Sequence, residues 1–94
     1  MTEHGTFNIR YDGASDVLYI ATRKTPAARG TEDECGILRR YDAGGDLIGM
    51  TIMDIFDRWR DHRSDLAQKI SVGFHISHDH AERVLAGAFL ERQN

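Results

Sequence analysis

The chain has 94 residues, of which 40% are hydrophobic and 29% are charged, and its formal net charge is −3. These values are typical of one small globular domain over residues 1–94. They argue against disorder, against binding of nucleic acid through bulk charge, and against a membrane protein. Cys35 is the only cysteine and cannot form an internal disulfide, and residues 1–5 lack the apolar run of a signal peptide, so we expect a cytoplasmic protein.

A β-hairpin is predicted at the start of the chain, after a short tail. Phe7, Ile9 and Tyr11 alternate with polar residues, which is the period of a half-buried strand that begins at about residue 6. The next four residues, Asp-Gly-Ala-Ser, are those that a tight turn requires. Residues 17–21 are apolar at every position, so we expect the second strand to be buried on both faces.

A solvated connection and a second hairpin follow. Residues 22–34 contain the only proline and show no sustained apolar period, which predicts a loop. Residues 35–41 and 47–53 are predicted strands, and the turn between them carries two glycines. In the last strand, apolar residues fall on both faces, with three on one face and two on the other: Ile48, Met50 and Ile52, then Leu47 and Met53. One layer of helices covers only one face of a sheet, so the second face predicts a partner, most simply a second copy.

The segment after the second hairpin is predicted to contain a short helix and one more extended stretch. Ile55, Phe56 and Trp59 form a helical stripe within residues 54–62. Residues 70–77 alternate apolar and polar side chains, which favours an additional edge strand, and a helix over residues 64–70 is the alternative.

The clearest element is a C-terminal amphipathic helix. Asp79, with Glu82 three residues later, resembles a capping box at its start, and Ser77 is a rival cap. Five apolar residues share one face of this helix: Ala81, Val84, Leu85, Ala88 and Phe89. The predicted fold is therefore α+β. It is an antiparallel β-meander of four strands, or five with the extra edge strand, with a short helix after the fourth strand and a helix at the C-terminus.

Several motifs of the two hairpins occur in a fixed order: Tyr11-Asp12, Asp16, Leu18-Tyr19-Ile20, Gly36-Ile37, Tyr41-Asp42, Gly45-Asp46-Leu47-Ile48-Gly49 and Ile52-Met53-Asp54. Over about residues 7–56 they resemble the domain-of-unknown-function 2283 family. The resemblance implies a β-meander core over residues 6–56 with a helical cover, extended here by residues 57–94. It implies no activity, cofactor or catalytic residue, but toxin-like neighbours of some members imply an antitoxin-like role. The sequence departs from the family pattern at Arg39-Arg40 and in the charged segment 57–65.

Few residues have the spacing of a catalytic site. Asp12 and Asp16 flank the first turn and together could bind a cation or transfer a proton, but carboxylates at such positions more often accept hydrogen bonds from turn amides. Cys35 would need a base and a perturbed pKa to act as a nucleophile, and a half-buried structural role is favoured. We predict no catalytic residue and no cofactor.

Three histidines within six residues, His75, His78 and His80, are the best candidate metal ligands, with His62 as a further one. The spacing matches no common zinc motif, and residues at i and i+2 do not share a helical face. We therefore favour three exposed polar side chains. A small metal- or ligand-binding protein that uses this cluster is the alternative function.

A basic surface would form if the short helix packed near the third strand and brought five arginines together: Arg39, Arg40, Arg58, Arg60 and Arg63. Four aspartates are interleaved with them and favour a solvated, salt-bridged surface instead: Asp54, Asp57, Asp61 and Asp65. Nucleic acid is therefore not an expected partner.

The favoured function is a non-enzymatic protein-interaction or regulatory module that forms a homodimer through one sheet face, with a further protein partner as an option. Six residues are predicted to serve its core or its interface: Val17, Tyr19, Ile48, Met50, Ile52 and Trp59. The sequence does not assign them to one face or the other.

Overall fold

The computed structural model describes residues 7–22 and 26–93, with side chains described as far as residue 87. The predicted tail and the predicted strand start at residue 6 lie outside these residues. Five strands are present: β1 (Asn8–Asp12), β2 (Val17–Ala21), β3 (Arg29–Glu32), β4 (Ile37–Tyr41) and β5 (Leu47–Met53). The helical part follows as α1 (Ile55–Trp59), a 3₁₀ turn (Arg60–His62), α2 (Arg63–Phe74) and α3 (His78–Gln93). The α+β class, the antiparallel sheet and the C-terminal helix are confirmed.

All five strands belong to one antiparallel sheet in the order β1-β2-β5-β4-β3. The chain therefore forms a hairpin, β1–β2, and a three-stranded meander, β3–β4–β5, which are joined because β5 pairs with β2. A continuous meander would have placed β2 beside the strand that follows it. This part of the prediction is wrong, because the chain crosses from β2 to the far edge of the sheet before it turns back.

The fifth strand is β3, in the segment that was predicted to be a solvated connection. Each of its four residues is exposed, and the strand pairs only with β4. An edge strand of this kind gains its stability from backbone hydrogen bonds and needs no buried side chains. Its sequence, Arg-Gly-Thr-Glu, therefore carries no apolar period.

Residues 70–77 do not form a strand. Leu66, Ala67 and Ile70 are fully buried at helical spacing in α2, whereas the Val72 side chain is 62% exposed. His75 has a left-handed backbone (φ 60°) and ends the helix by donating its N–H to the Ser71 carbonyl. The predicted extended segment is wrong because Ile70, Val72 and Phe74 alternate with polar or small residues at the end of α2, which resembles the two-residue period of a strand although the segment is helical.

The helices pack on one face of the sheet and form a single core with it. Directly opposed residues in antiparallel strands share a face, so Leu18, Ile37 and Ile52, which occupy one cross-strand row, all point to the helices. Helices contribute the other core residues: Ile55, Trp59, Leu66, Ala67, Ile70, Ala81, Val84 and Leu85. Among the described residues, no helix is both long and apolar enough to cross a membrane.

A β-bulge changes the face of Leu47. Arg40 pairs with Gly49 but Tyr41 pairs with Leu47, so the register skips one residue of β5. A Cβ placed on Gly73 of α2 would lie 2.9 Å from Leu47 Cδ2 and 3.2 Å from the terminal methyl of Met50. Leu47 therefore points to the helices together with Met50, and the predicted assignment of the two residues to opposite faces is corrected.

The cap of α3 is Ser77. Its hydroxyl oxygen accepts the His80 N–H at 3.1 Å, and its carbonyl accepts the Ala81 N–H at 3.0 Å. Asp79 is instead an exposed residue of the first turn. Of the predicted apolar face, Ala81, Val84 and Leu85 are buried, and the side chains of residues 88 and 89 lie outside the described part.

Truncation of two neighbouring apolar residues distinguishes the helix from the strand. We expect Ile70→Ala to lower the free energy of unfolding by about 2–4 kcal/mol, because it opens a cavity in the core. Val72→Ala should change it by less than about 0.5 kcal/mol, since the side chain is exposed and alanine favours the helix. Urea unfolding followed by circular dichroism measures both. Equal losses would indicate that the two side chains share a buried face, as in a strand.

Candidate interaction surface

Asp16 connects β1 to α1 through one carboxylate. Oδ1 accepts the Tyr11 hydroxyl at 2.9 Å and the Phe56 N–H at 3.0 Å, and Oδ2 accepts the Asp57 N–H at 3.1 Å. The backbone carbonyl of Asp16 also accepts the Ile55 N–H at 3.1 Å. Asp16 therefore caps the first turn of α1 from a position about 40 residues earlier in the chain, which is an N-cap supplied through space.

The residue in the local cap position does not fill that role. Asp54 has a left-handed backbone (φ 55°), and its side chain makes no capping hydrogen bond to α1. Asp16 is itself left-handed (φ 57°), a conformation that aspartate tolerates better than most residues. The backbone is thus left-handed on both sides of this contact, at Asp16 before β2 and at Asp54 before α1.

Asp12 behaves as a turn aspartate, and its carboxylate and that of Asp16 are directed to different hydrogen-bond donors. Its carboxylate accepts the Ala14 N–H at 3.1 Å, whereas the Asp16 carboxylate is directed to Tyr11 and α1. Within the described residues, no group of three or more histidine, cysteine, aspartate or glutamate side chains is arranged to hold a metal ion.

Asp33 organises the second half of the sheet, a role that the sequence did not reveal. Oδ1 accepts the N–H groups of Cys35 (2.8 Å) and Ile37 (3.1 Å), and Oδ2 accepts Arg39 Nη1 at 2.8 Å. Partial burial raises the pKa of Asp33, but the hydrogen bonds from Arg39 and the two amides outweigh it, and the net pKa lies below the ordinary value. Cys35 is half-buried against the core, as expected of a structural thiol.

The three candidate histidines point to different neighbours. His75 is exposed and ends α2, while His78 contacts Gln68 Oε1 (3.3 Å) and Glu82 Oε2 (3.1 Å). His80 packs edge-on against the Phe7 ring, with centroids 5.4 Å apart. The structure therefore brings His78 and Glu82 together but does not bring the three imidazoles to one point.

The adjacent arginines of β4 lie on opposite faces of the sheet, because side chains alternate along a strand. Arg39 shares the helix face with Met50 and forms the ion pair with Asp33, whereas Arg40 pairs with Gly49 on the other face. Arg60 lies 3.8 Å from Asp61. The five arginines consequently do not form one basic surface with the short helix.

The face of the sheet away from the helices, here called the open face, is defined by the strand register. Its central row crosses all five strands: Arg10, Tyr19, Thr51, Leu38 and Glu32. A second row contains Asn8, Ala21, Gly49, Arg40 and Gly30, and a third contains Asp12, Val17 and Met53. The three central strands thus present mostly apolar or small side chains, and the charged ends of the central row lie at the two edges.

Two arginines lie flat on the open face. The Arg10 guanidinium carbon is 4.2 Å from the centroid of the Tyr19 ring, a cation–π contact. A Cβ on Gly49 would lie 3.1 Å from Arg40 Nε, so Arg40 extends over β5. Of the central apolar side chains, Tyr19, Val17 and Leu38 are half-buried.

The structure sorts the six predicted core or interface residues. Met50, Ile52 and Trp59 belong to the core beneath the helices, and Val17 and Tyr19 lie on the open face. Ile48 is 4% exposed and lies at the bulge, outside the main core cluster.

Comparison with known proteins gives one result. A family model described as "Protein of unknown function (DUF2283)" matches residues 8–55, just over half of the chain. The chain belongs to the DUF2283 family. Neither the curated proteins nor the solved structures contain a match. The matched range begins with β1 and ends at the first residue of α1, so it contains the whole sheet and Asp16 together with the first helix residue that Asp16 binds.

We expect Asp16→Ala to lower the free energy of unfolding by about 2–3 kcal/mol, because it removes the α1 cap and leaves the Tyr11 hydroxyl without this acceptor. Asp16→Asn should cost less, since it keeps one acceptor and tolerates the left-handed backbone. Asp12→Ala is the matched control and should cost less than about 1 kcal/mol, because it removes one exposed turn hydrogen bond. Urea unfolding measures all three. Equal losses for Asp12→Ala and Asp16→Ala would contradict the capping role.

Acid should weaken the contribution of Asp33 to the free energy of unfolding. Because folding lowers its pKa, the charged carboxylate stabilises the protein above the ordinary value of 3.8, and this stabilisation is lost as the pH falls through the lower folded value. We expect Asp33→Asn to cost about 1–2 kcal/mol at pH 7 and progressively less below pH 4. Urea unfolding between pH 3 and 7 measures the difference, and Arg39→Gln should show the same convergence. If the loss of unfolding free energy in Asp33→Asn is the same at every pH, the ion pair is not its source.

Proposed function

We propose that the protein is a non-enzymatic interaction module that associates with a second copy of itself through the open face. The observation that carries the proposal is the distribution of side chains on that face. Tyr19, Thr51 and Leu38 fill the middle of its central row, while Arg10 and Glu32 are at the two edges. The central row thus has a neutral middle and charged ends, and Arg40 lies beside it over β5; aromatic residues and arginine are both enriched in protein–protein interfaces.

A second copy is the occupant that this face fits best. The central row carries a positive charge at one edge of the sheet and a negative charge at the other. When a second copy of the row is turned end for end and placed against it, each charge meets an opposite charge of the partner. Two sheets pack face to face about 10 Å apart when their inner side chains are apolar or small, as they are here in β2 and β5. A domain of this size also buries a limited share of its surface alone, and association adds to that share.

The acidic residues that might have supported catalysis are engaged in structure. Asp12, Asp16 and Asp33 all direct carboxylate oxygens to backbone N–H groups. These contacts support a structural use of the carboxylates, and the proposed module therefore acts by binding rather than by chemistry. The alternative function is a metal-binding protein that uses the histidines, and the experiment below distinguishes it from the proposed module.

Association is tested on the untagged full-length chain by native mass spectrometry and by sedimentation velocity over a concentration series. We expect a dimer with twice the chain mass. Leu38→Lys places a charge in the centre of the open face and should raise the dimer dissociation constant at least about tenfold. Met53→Lys is a second variant at a position that is already 37% exposed, so it alters the same face with less risk to folding.

Val72→Lys is the matched control, because it introduces the same charge on the outer surface of α2. It should leave association unchanged, and thermal unfolding confirms that each variant is folded. A monomeric wild-type chain, or a dimer that survives both Leu38→Lys and Met53→Lys, would overturn the proposal. A bound metal ion in each chain that is lost in His78→Ala would favour the alternative.

A further inference from the structure

The two charges of the central row cannot pair within one chain. Arg10 lies on the β1 edge and Glu32 on the β3 edge, four strand spacings or about 19 Å apart. Both residues are exposed, and Arg10 is held over the face by its contact with the Tyr19 ring. The guanidinium is therefore directed across the open face rather than away from the edge of the sheet.

We infer that two chains pack open face to open face about a two-fold axis that runs along β5, so that Arg10 of each chain pairs with the partner's Glu32. This inference rests on the proposed association. Rotation about an axis along the central strand exchanges the two edges of the sheet and keeps each position along the strands. The central row then meets its own reverse, with Tyr19 against the partner's Leu38 and Thr51 at the axis.

The other two-fold arrangement of the same faces is electrostatically unfavourable. An axis that runs across the strands keeps each edge opposite its own copy, so Arg10 would face the partner's Arg10 and Glu32 the partner's Glu32. Like charges brought together at an interface lower its affinity, and opposite charges raise it. The arrangement of charge on the central row therefore favours the axis along β5.

The second row is compatible with this axis. Arg40 would lie opposite the partner's Ala21 and next to the partner's Asn8, whose amide oxygen can accept from a guanidinium. Arg40 already lies flat over Gly49. Because the axis brings Gly49 opposite the partner's Gly49, the two Arg40 side chains would meet there, and the inferred packing requires each of them to turn toward the partner's Asn8.

Charge reversal tests the axis. We expect Arg10→Glu and Glu32→Arg each to raise the dimer dissociation constant about tenfold at low salt, because each variant places like charges opposite one another at two symmetric sites. The double variant, Arg10→Glu with Glu32→Arg, restores both opposite pairs and should return to within about threefold of the wild type. Sedimentation velocity at low and high salt measures all four chains, and the differences should shrink at 1 M salt.

Restoration in the double variant is the decisive result. Arg10→Glu also removes the contact with Tyr19, but a substitution at the opposite edge of the same chain cannot replace that contact. Arg83→Glu, an exposed charge reversal on α3, is the matched control and should leave association unchanged. If the wild type dimerises and Leu38→Lys separates it, but the single reversals are silent or the double variant is not restored, the axis is wrong while the open-face proposal stands. A monomeric wild type contradicts both.

Discussion

The carboxylate of Asp16 is the contact on which the arrangement of sheet and helices depends. It receives two N–H groups from α1 and the Tyr11 hydroxyl from β1, so one side chain ties the first hairpin to the segment that follows the last strand. A five-residue helix is too short to be stable alone, and its first N–H groups have no partners within the helix. Asp16 supplies those partners and thereby fixes where the helical half of the chain begins.

That fixed start determines which face of the sheet is covered. From the left-handed Asp54, the chain turns so that Ile55 and Trp59 enter the core, and α2 and α3 then pack over the same side. The close approach of Gly73 to Leu47 and Met50 brings α2 onto β5. Within the described residues, the helices form one layer, and the opposite face is formed by side chains of the strands. The open face is thus a consequence of the cap and of the direction in which α1 leaves β5.

The sequence predicts the elements whose signals are local. Both hairpins follow from turn residues between alternating strands, and the predicted bounds of β5, residues 47–53, agree with the structure. The sequence could not show β3, because an exposed edge strand is held mainly by backbone hydrogen bonds and has no apolar period. For residues 70–77 the sequence favoured a strand, with a helix over residues 64–70 as the alternative, because Ile70, Val72 and Phe74 alternate with polar or small residues. The burial of Leu66, Ala67 and Ile70 against the sheet is what identifies the helix. The role of Asp16 was hidden for a related reason. Its helix partners lie about 40 residues away, so no local pattern links them.

The two adjacent arginines of β4 illustrate how the same residue type serves two environments one position apart. Arg39 faces the helices and is accepted there because Asp33 neutralises it at 2.8 Å, a partly buried ion pair that two backbone amides also support. Arg40 faces the other way and lies over the one β5 position without a side chain. Asp33 therefore neutralises Arg39, and the charged residues in the rows of the open face balance in number, with Arg10 and Arg40 against Glu32 and Asp12. A face with balanced charge and a neutral middle to its central row suits the proposed self-association, which depends on shape and on the order of the charges, better than it suits the binding of a polyanion, which depends on bulk positive charge.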